Sequence, residues 1–185
     1  KKAAEGAVGA FVPLFPAEAA SELLAVLYQV LESSSAKWQA KVGALKIIGR
    51  LADLAYEQVG DELTQMTPVL TQAMHETKAE VSKQAIKTAT KVCGVIDNND
   101  IRPFIPDLVG CMARPDSVPD CIKKLSSITF VAEVTGPALA VMVPLLSRAL
   151  NERSQTVQRQ SVIIVDNLCK LVRDPHTAAM YLPTL

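Results

Sequence analysis

The chain has 185 residues, 19 basic and 19 acidic, with 49% apolar and only 4% aromatic residues. That is enough apolar content for a sizeable core, and the dominance of Ala, Leu and Val suits helix packing better than a β-sandwich. No apolar run reaches the roughly 18 to 20 residues that span a bilayer, and the amino end, KKAAEGAVGAF, lacks the hydrophobic segment of a secretory signal, so membrane-spanning and exported classes are set aside.

Residues 1–16 are rich in Gly, Ala and Pro and read as a connector or the tail of a preceding repeat. A helix is expected over 17–32, where Leu23, Leu24, Leu27, Val30 and Leu31 recur at helical spacing before Ser33, Ser34 and Ser35 break the pattern. Its partner is expected over 36–55, burying Trp38, Val42, Leu45, Ile48 and Leu51. On that apolar face Trp38 reads as core rather than as a platform for stacking bases. The second pair is expected over 57–76 and 79–96, with Thr77 three residues before Glu80, the spacing of a capping box contributing on the order of 1 kcal/mol.

Asp97, Asn98, Asn99 and Asp100 form a polar connector, followed by helices expected over 101–113 and 118–134. Ser117 and Asp120 again have capping-box spacing, and Pro119 sits early enough in the helix to be tolerated. Glu133, between Ala132 and Val134, reads either as a buried carboxylate or as an exposed one at a helix end. The fourth pair is expected over 137–151 and 156–173, with Thr135 as a side-chain cap, Pro137 near the first helical position and a polar turn from Asn151 to Ser154. Residues 175–185 begin a further first helix without a partner, so the chain reads as a soluble piece of something longer, with repeats filling 17–185.

The pairs repeat. Apolar-flanked prolines recur at Pro68, Pro106, Pro144 and Pro183, separated by 38, 38 and 39 residues, and second helices open near Trp38, Val81, Val118 and Val157 at separations of 43, 37 and 39. Two helices per unit of about 40 residues predict an all-α, α-α superhelix of HEAT or armadillo type with about four helix pairs. The prolines fall inside the expected first helices and should bend them.

The zero net charge hides an asymmetry. Counted over 37–54, 78–96, 118–134 and 155–173 the second helices sum to +8, and over 17–32, 57–76, 101–116 and 137–150 the first helices sum to −6. In such solenoids the two layers face opposite ways, which gives one basic face suited to polyanions, with Lys83, Lys87 and Lys91 in one stripe. Solvated helix faces with no partner are the alternative reading of the same residues. No phosphate loop, GxGxxG, HExxH or nucleophile–base arrangement occurs, so no catalytic, cofactor or metal residues are assigned. Cys93, Cys111, Cys121 and Cys169 have neither CxxC spacing nor enough histidines for a metal site, and read as small hydrophobes in a reducing compartment.

The segments WQAKVGAL from Trp38, DNNDIRPFIPDL from Asp97, TFVAEVT from Thr129, MVPLLSRALNER from Met142 and VDNLCKLVRDP from Val165 resemble the amino-terminal HEAT domain of fungal translation elongation factor 3, in order and spacing, from about Trp38 to Leu185. The resemblance implies a non-catalytic scaffold of a ribosome-bound ABC ATPase that promotes release of deacylated tRNA from the exit site. It implies a cytoplasmic monomer whose partners are ribosomal RNA, ribosomal proteins and other translation factors, with no membrane, and ATP held by cassettes outside this sequence. Charge and expected exposure select Lys83, Lys87, Lys91, Arg148, Arg153, Arg159, Lys170 and Arg173 as candidate contacts. A protein-binding adaptor stands as the alternative, because RNA-export, termination or recycling paralogues and a scaffold that senses stalled ribosomes carry similar HEAT stretches. KVGALKIIGRLA resembles that scaffold equally, whereas TFVAEVT and MVPLLSRALNER favour the factor.

Overall fold

The computed structural model describes residues 10–14 and 16–185; the rest of the expected amino-terminal connector lies outside the described residues. The described residues form ten α-helices and short 3-10 turns, with no strand. They fall into two compact units that divide between Val95 and Ile96.

In the first unit, α1 (Ala20–Glu32) is joined by the serine turn to α2 (Trp38–Leu54). A short helix, α3 (Tyr56–Asp61), leads into α4 (Leu63–Met74), which pairs with α5 (Ala79–Cys93). Packing is like on like, α1 against α4 and α2 against α5. Leu24, Leu45, Ile48, Leu63, Met66 and Leu70 are buried between the layers. Small residues let α2 and α5 approach closely. Thr88 is buried and its hydroxyl donates to the Leu45 carbonyl at 2.9 Å, while a Cβ placed on Gly49 would already touch Thr88 Oγ1 at 3.7 Å.

Two expectations fail here for local reasons. The helix over 57–76 is two helices, because the chain turns at Glu62 (ψ −4°), two residues after Gly60, and the turn keeps Val59, Leu63 and Met66 buried together. The Thr77 capping box does not form: Lys78 occupies the cap position of α5 and no side chain caps it.

The second unit is built around α8 (Gly136–Leu150), whose residues Ala138–Val143 are all buried. A helix apolar on nearly every side belongs in the middle of its neighbours. It packs on α6 (Ile105–Ala113), α7 (Val118–Leu125), α9 (Gln155–Leu171) and α10 (Pro175–Tyr181). Pro68 and Pro144 lie inside α4 and α8 as expected, but Pro106 sits in the first turn of α6 and Pro183 in a terminal 3-10 turn, where no helical bond is lost. Thr135 and Ser117 stand at cap positions without capping through their side chains. The Ser117 hydroxyl donates backwards to the Arg114 carbonyl at 2.6 Å instead.

The larger departure is at 118–134, where α7 ends at Leu125 and residues 126–135 run as an irregular strap. Ser126 and Ser127 donate to the carbonyls of Lys123 and Lys124, closing the helix end, and the β-branched run Ile128, Thr129, Val131 favours extended backbone. The polar connector then takes over the strap's backbone groups. Asp100 Oδ2 accepts from the amides of Val131 at 2.7 Å and Ala132 at 2.8 Å. Asn98, 1% exposed, donates to the Glu133 carbonyl at 3.0 Å and accepts from the amides of Asp100 and Ile101, also at 3.0 Å. Glu133 is therefore an exposed residue of the strap, with its carboxylate 3.5 Å from Arg173.

Asn98→Ala removes one donor and one doubly used acceptor from a buried site, and is expected to destabilise the protein by about 2–4 kcal/mol. Urea unfolding followed by helical circular dichroism measures it; a loss below about 0.5 kcal/mol would mean the strap does not depend on Asn98.

Candidate polyanion-binding surface

Lys83 and Lys87 lie on the exposed side of α5, one turn or about 6 Å apart along its axis. Lys91 continues the row but is not free, since its ammonium meets Asp53 Oδ2 on α2 at 2.5 Å. That contact and the Thr88–Leu45 bond fix the register of α2 and α5, and so bring the exposed row Lys46, Arg50, Asp53 alongside Lys83, Lys87, Lys91. Lys46 and Arg50 were not among the sequence candidates. The signal was present, an i, i+4 pair on the same layer, but only the register shows that it lies beside the lysines of the next second helix.

The remaining candidates belong to the second unit and are dispersed within it. Arg148 is in the last turn of α8, the first helix of its pair, and so stands outside the second-helix layer. Arg153 is in the polar turn and Arg159 on the exposed side of α9. Lys170 is paired with Asp166 at 2.6 Å one turn earlier, and Arg173, beyond the end of α9, with Glu133. No carboxylate among the described residues is within ion-pair distance of Lys83, Lys87, Arg148, Arg153 or Arg159. Exposed pairs such as Lys91–Asp53 contribute little to stability, so a phosphate can compete for the lysine at small cost.

The opposite layer of the first unit has a different character. A groove of about 370 Å³ between α1 and α4 is lined by Tyr28, Gln29, Glu32, Gln65 and Gln72. The Tyr28 hydroxyl is buried without a protein partner, and burial, then the Glu62 carboxylate, pushes its pKa up. Amides, a phenol and a carboxylate do not make an anion site. Trp38, expected in the core, is half-buried at the start of α2. Among the described residues no three His, Cys, Asp or Glu side chains gather to hold a metal ion, and no helix is long and apolar enough to cross a membrane.

Comparison with known proteins agrees with the repeat reading. A family model described as EF3 N-terminal HEAT repeat matches residues 1–89, and one described as Elongation factor 3/GNC1 HEAT repeat matches residues 116–185. The match begins at residue 1, so the similarity is not confined to the stretch from Trp38 onwards. The chain is 47% identical over 186 aligned residues to the mRNA export factor elf1 of Schizosaccharomyces pombe, covering 100% of this chain and 18% of that protein. It is 48% identical over 163 residues to elongation factor 3 of Phytophthora infestans (88% of this chain, 16% of that protein). It is 44% identical over 167 residues to elongation factor 3B of Saccharomyces cerevisiae (90% of this chain, 16% of that protein). The chain thus spans less than a fifth of the length of these curated relatives.

Asp53→Asn removes the carboxylate that holds Lys91 and is expected to strengthen binding to a generic polyanion such as heparin, steepening the slope of log affinity against log salt by about one. An unchanged slope would mean that Lys91 is not part of the surface.

Proposed function

The chain belongs to the elongation factor 3 HEAT-repeat family, and from that premise we propose that it is the non-catalytic scaffold that docks an elongation factor 3-like ABC ATPase on the ribosome, supporting release of tRNA from the exit site. The observation that carries the reading is the doubled row of exposed cations, Lys46 and Arg50 on α2 beside Lys83 and Lys87 on α5. Such a row contacts phosphates and carries no means of reading bases, which suits a ribosomal surface recognised by shape and charge. Its partners are ribosomal RNA, ribosomal proteins and other translation factors in the cytoplasm, where the chain acts as a monomer and without a membrane. In this reading ATP belongs to cassettes outside this chain, which has no phosphate loop of its own.

A second reading, a protein-binding adaptor, has a specific observation in its favour. Val162 and Ile163 on α9 are 55% and 54% exposed, and the similarity to an mRNA export factor covers the whole chain. The two readings differ in salt dependence.

Co-sedimentation with purified ribosomes across a salt series separates them. Docking through phosphates predicts binding that weakens steeply with salt, and a Lys83→Glu, Lys87→Glu variant with a slope shallower by about two and at least about tenfold weaker binding near physiological salt. Binding indifferent to salt and to the double variant favours the adaptor. No binding at low salt by folded protein rejects the docking reading.

A further inference from the structure

The layer of the first unit opposite the cation row has no Lys or Arg at all. Residues 17–32 and 56–75, which contain α1, α3 and α4, carry Glu18, Glu22, Glu32, Glu57, Asp61 and Glu62 against no basic residue but His75. Charge of one sign attracts cations and repels polyanions, so this layer and the α2–α5 row call for different partners.

The groove between α1 and α4 lies in this layer and is lined by polar groups that the fold does not use. Gln29 and Glu32 on α1 and Gln65 and Gln72 on α4 are exposed, and their side chains make no hydrogen bond or ion pair with another described residue. Gln65 and Gln72 stand two turns, or about 10.5 Å, apart along the axis of α4. An extended chain covers that distance in about three residues. A primary amide both donates and accepts, so each can bond the N–H or the C=O of a peptide laid along α4. Pro68 and Val69 form an apolar strip between the two amides. Tyr28, 8% exposed, lines the same groove, and its hydroxyl is buried without a protein partner. Burial, then the Glu62 carboxylate, raises its pKa, so it keeps its proton for an acceptor. A buried hydroxyl left unpaired costs the free protein stability, and a peptide carbonyl that reaches it removes the cost.

We propose that the α1–α4 groove is a docking site for an extended basic peptide, whose backbone bonds Gln65 and Gln72 and whose Arg or Lys side chain meets Glu32. Charge complementarity selects the occupant. Nucleic acid is repelled by the same carboxylates that draw a basic peptide in. The site goes beyond the ribosome-docking reading and stands without it, because no cation of α2 or α5 lines the groove.

Fluorescence anisotropy of a fluorescein-labelled peptide of alternating Arg and Gly, titrated with the whole chain at fixed salt, tests it. The expected result is saturable binding, with none for a peptide of alternating Glu and Gly. Glu32→Lys should weaken binding by at least about tenfold, the worth of one charged hydrogen bond, and the Gln65→Ala, Gln72→Ala double variant by about tenfold. All three positions are exposed, so these variants keep the fold. Glu80→Lys makes the same charge change at an exposed position of α5 and should alter binding by less than about twofold. Equal losses in Glu32→Lys and Glu80→Lys would mean that net charge and not the groove holds the peptide, and would overturn the proposal. So would undiminished binding by the glutamine double variant, equal binding of the acidic peptide, or no binding of the basic one.

Discussion

One hydroxyl sets the geometry on which the functional account rests. Thr88 reaches from α5 to the Leu45 carbonyl of α2, and it does so because Gly49 and the alanines of both helices keep the backbones close. At Gly49 a methyl would fit in ordinary contact with Thr88 Oγ1 at 3.7 Å, whereas a longer side chain would have to displace Thr88 or Lys91. With the register fixed, Lys91 meets Asp53, and two rows of cations that are 37 residues apart in sequence, Lys46 and Arg50 against Lys83 and Lys87, become neighbours. The basic character of this surface is therefore a consequence of helix packing, since neither helix has it alone in any unusual measure.

The second unit solves a different problem. Its strap runs from Ser126 to Thr135 without secondary structure of its own, and irregular backbone that is partly buried needs partners for its amides and carbonyls. Asn98 and Asp100 provide them from a segment some thirty residues earlier, and the Leu171 carbonyl accepts from Val134 at 3.1 Å. Phe130 and Val134 are thereby held in the core while Val131 stays 72% exposed. The strap also delivers Glu133 to Arg173, which removes one of the candidate contacts from the set of unpaired cations.

Much of this was legible in the sequence. The period near 40 and the paired helices follow from apolar spacing and turn residues, since burial imposes the 3.6-residue period directly. The strap was not legible, because Phe130 and Val134 also fit a helical face, and what distinguishes the two conformations is a hydrogen-bonding partner far away in sequence. The capping boxes at Thr77 and Ser117 failed for a related reason. Spacing marks residues able to cap, but the hydroxyl of Ser117 had a nearer carbonyl at Arg114. For the candidate contacts, sequence gives the charge but not which cations are already paired. Lys91, Lys170 and Arg173 are engaged by Asp53, Asp166 and Glu133, and of these only Asp166 lies at the i, i+4 spacing that sequence reveals.

The central claim is that the α2–α5 row of cations is the surface that meets the ribosome. Lysine-directed covalent labelling of the chain, free and bound to purified ribosomes, with the modified sites read by mass spectrometry, tests it residue by residue. The account predicts that Lys83 and Lys87 lose most of their reactivity in the bound sample, while Lys37, exposed in the turn before α2, stays reactive. Bound chains in which Lys83 and Lys87 react as fast as in free protein would contradict it.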